Sequence, residues 1–173
     1  MAITRPLTGE PLPLDLLNTT WMEQGARRDM FDTPGALQEW LTDREFPPDA
    51  PESEVRAHLT EAREAIRAVL ERRDDGEARL NAVLAQGMRR LRLADGKPQT
   101  LEMVDDPAAR PGWTCAVALL DLLERKPDRI RKCANPDCIL WYLDTTRNGS
   151  RRWHSMETCG NRAKAKRYQD RHA

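Results

Sequence analysis

The stretch that decides the reading is residues 131–171, RKCANPDCILWYLDTTRNGSRRWHSMETCGNRAKAKRYQDR. Cys133 and Cys138 are spaced C-x4-C. After a gap of fifteen residues, His154 and Cys159 follow as H-x4-C. Two close pairs of soft ligands separated by a hairpin-length gap fit a tetrahedral zinc site. Four protein ligands close such a site, leaving no open position for chemistry at the metal, so the expected cofactor is one structural zinc ion. His58 and His172 are the remaining histidines. Neither has a spacing to the cysteines that matches His154.

The residues between the ligands have turn chemistry. Asn135-Pro136-Asp137 suits a metal-binding knuckle. Ile139–Leu143 predicts a strand, Asn148-Gly149 a turn, and Arg151-Arg152-Trp153 a returning strand. Ser155 is placed to cap a helix that carries Cys159 in its first turn and runs on to Asp170. Knuckle, hairpin and a helix bearing the last ligand make a treble-clef arrangement. On this reading, replacing Cys138 by Ser unfolds the finger and leaves the rest folded.

Charge is divided sharply along the chain. Its 173 residues sum to zero, but residues 125–173 carry thirteen Lys and Arg against five Asp and Glu, a net +8. Residues 1–124 carry fifteen against twenty-three, a net −8. Basic modules attract polyanions through counterion release, and the acidic remainder confines that attraction to one end. Arg147, Arg151 and Arg152 precede the last ligands, and Arg162, Lys164, Lys166, Arg167 and Arg171 follow Cys159. Arg and Asn or Gln in such a set can read base edges, while Lys and Tyr hold phosphates. Duplex DNA is therefore the expected partner. RNA, an acidic protein surface or a merely solvated helix face are the alternatives at this level.

The first 128 residues form the other expected unit, with the finger occupying 129–173. Leu37, Trp40 and Leu41 predict a helix begun by Thr33 and Pro34. A long amphipathic helix is expected from Ser53 through Leu59, Ile66 and Leu70, with a second around Leu80 and Leu84. Arg90–Ala94 and Thr100–Val104, around Asp95-Gly96, predict a β-hairpin. Trp113–Glu124 predicts a core helix in which Cys115 is a buried small hydrophobe. The fold class is thus mainly α with a small β-hairpin (α+β), followed by the treble-clef finger.

Leu12–Trp21 reads as an apolar strand or turn with a polar cluster. Asn18, Thr19 and Trp21, facing Arg63 and Arg67 one helical turn apart, form a candidate pocket for a small anionic effector. Local turn hydrogen bonds and surface arginines are the plainer explanation of the same residues. No apolar run approaches the roughly 20 residues of a membrane span. The opening MAITRPLTGEPLPLDLLN lacks the apolar core of a signal peptide. The expectation is a cytoplasmic protein without a membrane partner. No nucleophile–base pair, phosphate loop or paired carboxylate points to an enzyme.

Cys159-Gly160-Asn161-Arg162, preceded by Arg151-Arg152-Trp153 and Ser155-Met156, resembles the CGNR-type zinc finger. The family's aromatic-x-Asp element is matched by Tyr142-Leu143-Asp144. His154 stands where the family pattern has cysteine. Leu14–Thr19, Trp40-Leu41, the helix with Arg63, Ala65, Ile66 and Arg67, and Leu80-Asn81 resemble the ABATE domain that partners this finger. The resemblance implies a bacterial, stress-responsive, DNA-binding transcription regulator with zinc held by Cys133, Cys138, His154 and Cys159. A single finger reads few base pairs, so a homodimer is the expected binding form. The competing functions are a zinc-stabilised module that docks an acidic protein, and an enzyme in which the finger is purely structural.

Overall fold

The computed structural model describes residues 4–165. Its core is organised by the helix α3, Glu52–Leu70, whose Val55, Leu59, Ala62 and Ile66 are buried at helical spacing. Packed around it are α1 (Leu12–Leu17), α4 (Gly76–Leu84) and α5 (Arg110–Arg125). Close helix approach is set by Gly112, where an added Cβ would lie 3.0 Å from the His58 carbonyl oxygen. The short helix α2, Ala36–Thr42, adds the buried Leu37, Trp40 and Leu41. The mainly helical body with small antiparallel hairpins agrees with the fold class read from the sequence.

Local details differ from expectation. Residues 12–17 are helical rather than a strand or turn. Pro13, Leu14, Asp15, Leu16 and Leu17 are all buried, so this helix has no solvent face to impose a period. Helix α2 starts behind Gly35, at φ +78°, and not at Thr33-Pro34. Helix α3 starts one residue before Ser53, with Pro51 at its cap position.

Among the described residues, three two-stranded antiparallel sheets punctuate the helices. β1 (Thr20–Glu23) pairs with β2 (Ala26–Asp29) through Gln24-Gly25, both at positive φ. β3 (Gly87–Ala94) pairs with β4 (Lys97–Val104) through Asp95-Gly96, also both at positive φ. This is the expected hairpin, with β3 extended at its root and β4 toward the turn, to eight residues a strand. β5 (Ile130–Lys132) pairs with β6 (Trp141–Leu143). Arg151–Trp153, the expected partner of that strand, is irregular. The knuckle reverses the chain instead, with Cys133 N–H donating to the Leu140 carbonyl at 2.9 Å, and so brings 130–132 against 141–143.

The last described element begins at Ser155, whose side chain accepts from Thr158 N–H as expected of a cap. A single wide, π-type turn over Met156–Gly160 runs into an α-helical stretch at 161–165. The expected continuation to Asp170 lies outside the described residues. Cys133, Cys138, Leu140, Trp141, Leu143 and Cys159 belong to the same buried cluster as Leu14, Leu59 and Leu119. The finger and the helical body therefore share one core.

Candidate metal centre and basic surface

The ligand atoms of Cys133, Cys138, His154 and Cys159 lie within 4.8 Å of one another, and all four residues are buried. Cys133 and Cys138 come from the two ends of the knuckle. His154 ends the loop that follows β6, and Cys159 sits in the π-type turn. Three elements thus meet at one point, which is how a single ion can replace a larger core.

The surroundings fit a cation. His154 Nδ1 faces Cys138 Sγ at 3.6 Å, while Nε2 faces Thr158 Oγ1 at 3.4 Å. Nδ1 is therefore the nitrogen turned to the sulfurs, and an imidazole ligating through it would have its Nε2–H held by the Thr158 hydroxyl, the usual outer support. Asn135 Nδ2 donates to Cys159 Sγ at 3.2 Å, and its Oδ1 accepts from Asp137 N–H at 3.1 Å. It is the Asn135 side chain that reaches a sulfur, a role that its place in a turn motif did not reveal. A hydrogen bond from Cys138 draws the Cys133 thiol down to about 3, while the same contact and burial push Cys138 up. Three crowded sulfurs cannot all hold negative charge until a divalent cation compensates them. One structural zinc ion fits this donor set.

Asp144 organises the loop between strand and ligand. Its carboxylate accepts from Thr146 N–H at 2.9 Å, Thr146 Oγ1 at 2.6 Å and Arg151 N–H at 3.0 Å. The Thr146 hydroxyl, then the backbone amides, hold this acid below its ordinary value against the effect of burial. Gly149, at φ +60°, provides the turn that Asn148-Gly149 announced. Tyr142 Oη donates to the Arg151 carbonyl at 2.6 Å, and burial pushes its phenol up to about 12.

The expected nucleic-acid residues separate into three groups. Arg147, Arg152, Arg162 and Lys164 are exposed. Arg151 is half-buried and turned inward: its Nε donates to the Trp153 carbonyl at 3.0 Å, its NH2 reaches the His154 carbonyl, and its guanidinium lies 4.4 Å from the Tyr142 ring. It braces the backbone of a metal ligand. Lys166, Arg167 and Arg171 lie outside the described residues. Arg125, Lys126 and Arg129, which sequence reading did not single out, line a hollow of about 470 Å³ together with Arg147, Asp128 and Asp144. The net +8 of this segment was the signal that could have found them.

The polar cluster of the body is internal. Asn18 Nδ2 donates to the Trp141 carbonyl at 2.8 Å, and Trp141 N–H donates to Asn18 Oδ1 at 3.0 Å. Asn18 thus acts as a one-residue strand on the free edge of β6, next to Glu10, which accepts from Leu143 N–H at 2.7 Å. Arg63 pairs with both Asp29 oxygens and donates to Thr19 Oγ1 at 2.7 Å. Arg67 donates to Thr20 Oγ1 at 3.0 Å. The arginine pair does face the Thr19–Thr20 edge, but salt bridges and hydrogen bonds fill that space. Trp21 lines a separate hollow of about 320 Å³ with Arg27, Arg28, Asp29 and Asp32.

Residues 10–126 match the family model named ABATE, described as "Putative stress-induced transcription regulator". The chain belongs to the ABATE family. Residues 129–172 match the CGNR zinc finger. The order of the two matches is that of the resemblance stated above. Comparison with curated proteins gives no match. Among the described residues of this ABATE protein, no helix is long and apolar enough to cross a membrane.

Proposed function

We propose that this chain is a DNA-binding transcriptional regulator whose CGNR finger is the contact module. The observation that supports it best is the exposed set Arg147, Arg152, Arg162 and Lys164, mounted on elements that one metal site ties together. None of these four side chains has a carboxylate partner among the described residues. Arg125 and Lys126 extend the positive surface across the junction with α5. Zinc acts as a structural clamp that holds loop and helix in register, and binding rather than catalysis is the role assigned to the site. A finger of this size covers few base pairs, so operator recognition calls for two copies on adjacent half-sites.

The test is a salt series of duplex binding by zinc-quantified protein, using random duplex, matched RNA and genomic fragments from beside the gene. The expected result is a steep fall of affinity with salt, a preference for particular DNA fragments, and loss of binding in the triple variant Arg152→Ala, Arg162→Ala, Lys164→Ala. Protein with one zinc per chain that binds no duplex at low salt overturns the reading. The acidic-protein docking role would then take its place.

A further inference from the structure

The β3–β4 hairpin is built unlike the rest of the surface. At its root, Gly87 lies against the Trp113 ring so closely that a Cβ there would come within 2.7 Å of it, and Arg89 reaches Asp121 at 3.1 Å. Among the described residues, little else covers it. Leu91 is 79% exposed, Leu93 73% and Met88 61%, and Leu101 and Met103 are exposed as well. A two-stranded ribbon with this much uncovered apolar surface is short of a packing partner.

Its two edges are not equivalent. The Asp95-Gly96 turn makes Ala94 and Lys97 a hydrogen-bonded pair, so the register turns the backbone groups of Arg89, Leu91 and Leu93 outward on β3. The outward positions on β4 are Pro98, Thr100 and Glu102. Pro98 has no N–H to offer, and Glu102 adds a charge, the usual protections of an edge. The β3 edge has no proline, and its outward charge, Arg89, is drawn to Glu102 and Asp121 at the root, which leaves Leu91 and Leu93 unprotected. The face that carries Met88, Leu101 and Met103 also carries Arg90, Arg92 and Lys97. Among the described residues, Arg90 and Lys97 have no carboxylate partner, and Arg92 is bonded to the neutral Gln99 at 2.9 Å. The hairpin is thus a cationic, apolar island on an otherwise acidic body.

We propose that the β3 edge docks an extended segment of another protein, with acidic residues alternating with apolar ones, which adds as a third strand. Carboxylates on that segment meet Arg90 and Arg92 on one face, and its apolar residues cover Leu91 and Leu93 on the other. A second copy of this chain does not suit the edge. Antiparallel alignments centred on Leu91, or placing Leu91 opposite Leu93, set Arg90 against the second copy's Arg92 or Arg92 against itself. Nucleic acid suits it less well, because protein–DNA interfaces are polar, whereas Met, Leu and Arg together are a protein-interface composition.

The experiment selects a displayed random-peptide library on full-length, zinc-loaded protein, then measures the enriched peptides in solution by fluorescence anisotropy. Leu91→Pro removes an outward N–H without removing a β3–β4 bond, and Arg90→Glu with Arg92→Glu reverses the charge. Leu91→Glu serves if the proline variant loses zinc or helicity. The expected result is enrichment of alternating acidic and apolar sequences that bind these variants at least about tenfold more weakly than wild type. No such enrichment, equal binding to the variants, or hairpin variants that alter self-association or duplex affinity instead would overturn the proposal. Duplex binding by the finger is read separately, so failure here leaves the finger's role standing.

Discussion

Asn135 supports the metal site through a bond to a ligand sulfur. Its amide donates to Cys159 Sγ while its carbonyl holds the knuckle turn. Asn135→Ala is expected to lower zinc affinity about 10–100-fold, as loss of an outer support does elsewhere. Competition with a chromophoric chelator measures this directly, and unchanged affinity would show the contact to be incidental. Asn18 has a different task. Its two bonds to Trp141 satisfy a buried N–H and a buried carbonyl of β6. In Asn18→Leu both are orphaned, at a cost of roughly 1–3 kcal/mol each, which urea unfolding of the zinc-loaded protein would register. Cys115 stands apart from the other cysteines. It is fully buried on α5, and burial pushes its thiol well up. After chelation, three thiols are expected to react rapidly with a disulfide reagent and Cys115 only on global unfolding.

At the scale of elements, the loop from Asp144 to His154 shows how neighbouring arginines divide their work. Arg151→Ala removes the brace on the Trp153 and His154 carbonyls and is expected to weaken zinc retention. On the proposed function, Arg152→Ala is expected to leave zinc retention intact and to reduce the salt slope of DNA binding by about one. Parallel zinc and DNA titrations of both variants separate the roles. Asp144 sets the loop's acid limit. Its folded pKa lies below the ordinary value because Thr146 and the Arg151 amide bond the charged form. The stabilisation is therefore complete above the ordinary carboxylate pKa of about 3.9 and is lost as pH falls through the lower folded value. The stability gap between wild type and Asp144→Asn should close over that window. A gap independent of pH would assign the loop to packing alone.

These elements also show what was legible beforehand. Ligand spacing announced Cys133, Cys138, His154 and Cys159, because metal geometry imposes short fixed intervals. Helices α3 and α5 were legible because each has one buried face, and Asp95-Gly96 because its turn demands positive φ. Helix α1 was not, since burial all round erases periodicity. The β1–β2 hairpin had only Gly25 to mark it. The pairing of β5 with β6 depends on the knuckle's reversal, a non-local event that no strand pattern encodes. Arg151 and Arg152 are adjacent and chemically identical, so only the position of Tyr142 distinguishes brace from free cation.

For the whole molecule, the decisive facts are the charge split and the shared core. The basic finger is not a bead on a string: Trp141, Leu143 and the ligand cysteines pack in the same cluster as Leu14, Leu59 and Leu119. Lys132 is also paired with Glu71 at the end of α3, at 2.7 Å. Cys138→Ser is thus expected to lower the thermal midpoint of the helical signal as well as release zinc, in place of the independent unfolding anticipated from sequence. Two separate transitions would restore the independent finger. On the proposed function, the same coupling links metal to DNA contact, because the ligands tie together the loop and the helix that carry Arg152, Arg162 and Lys164. The most direct measurement is a zinc titration of chelated protein in which labelled-duplex anisotropy and bound zinc are followed together. The account predicts that DNA affinity rises in step with zinc and saturates at one ion per chain. Duplex affinity that is already complete without zinc, or still absent at one zinc per chain, would contradict it.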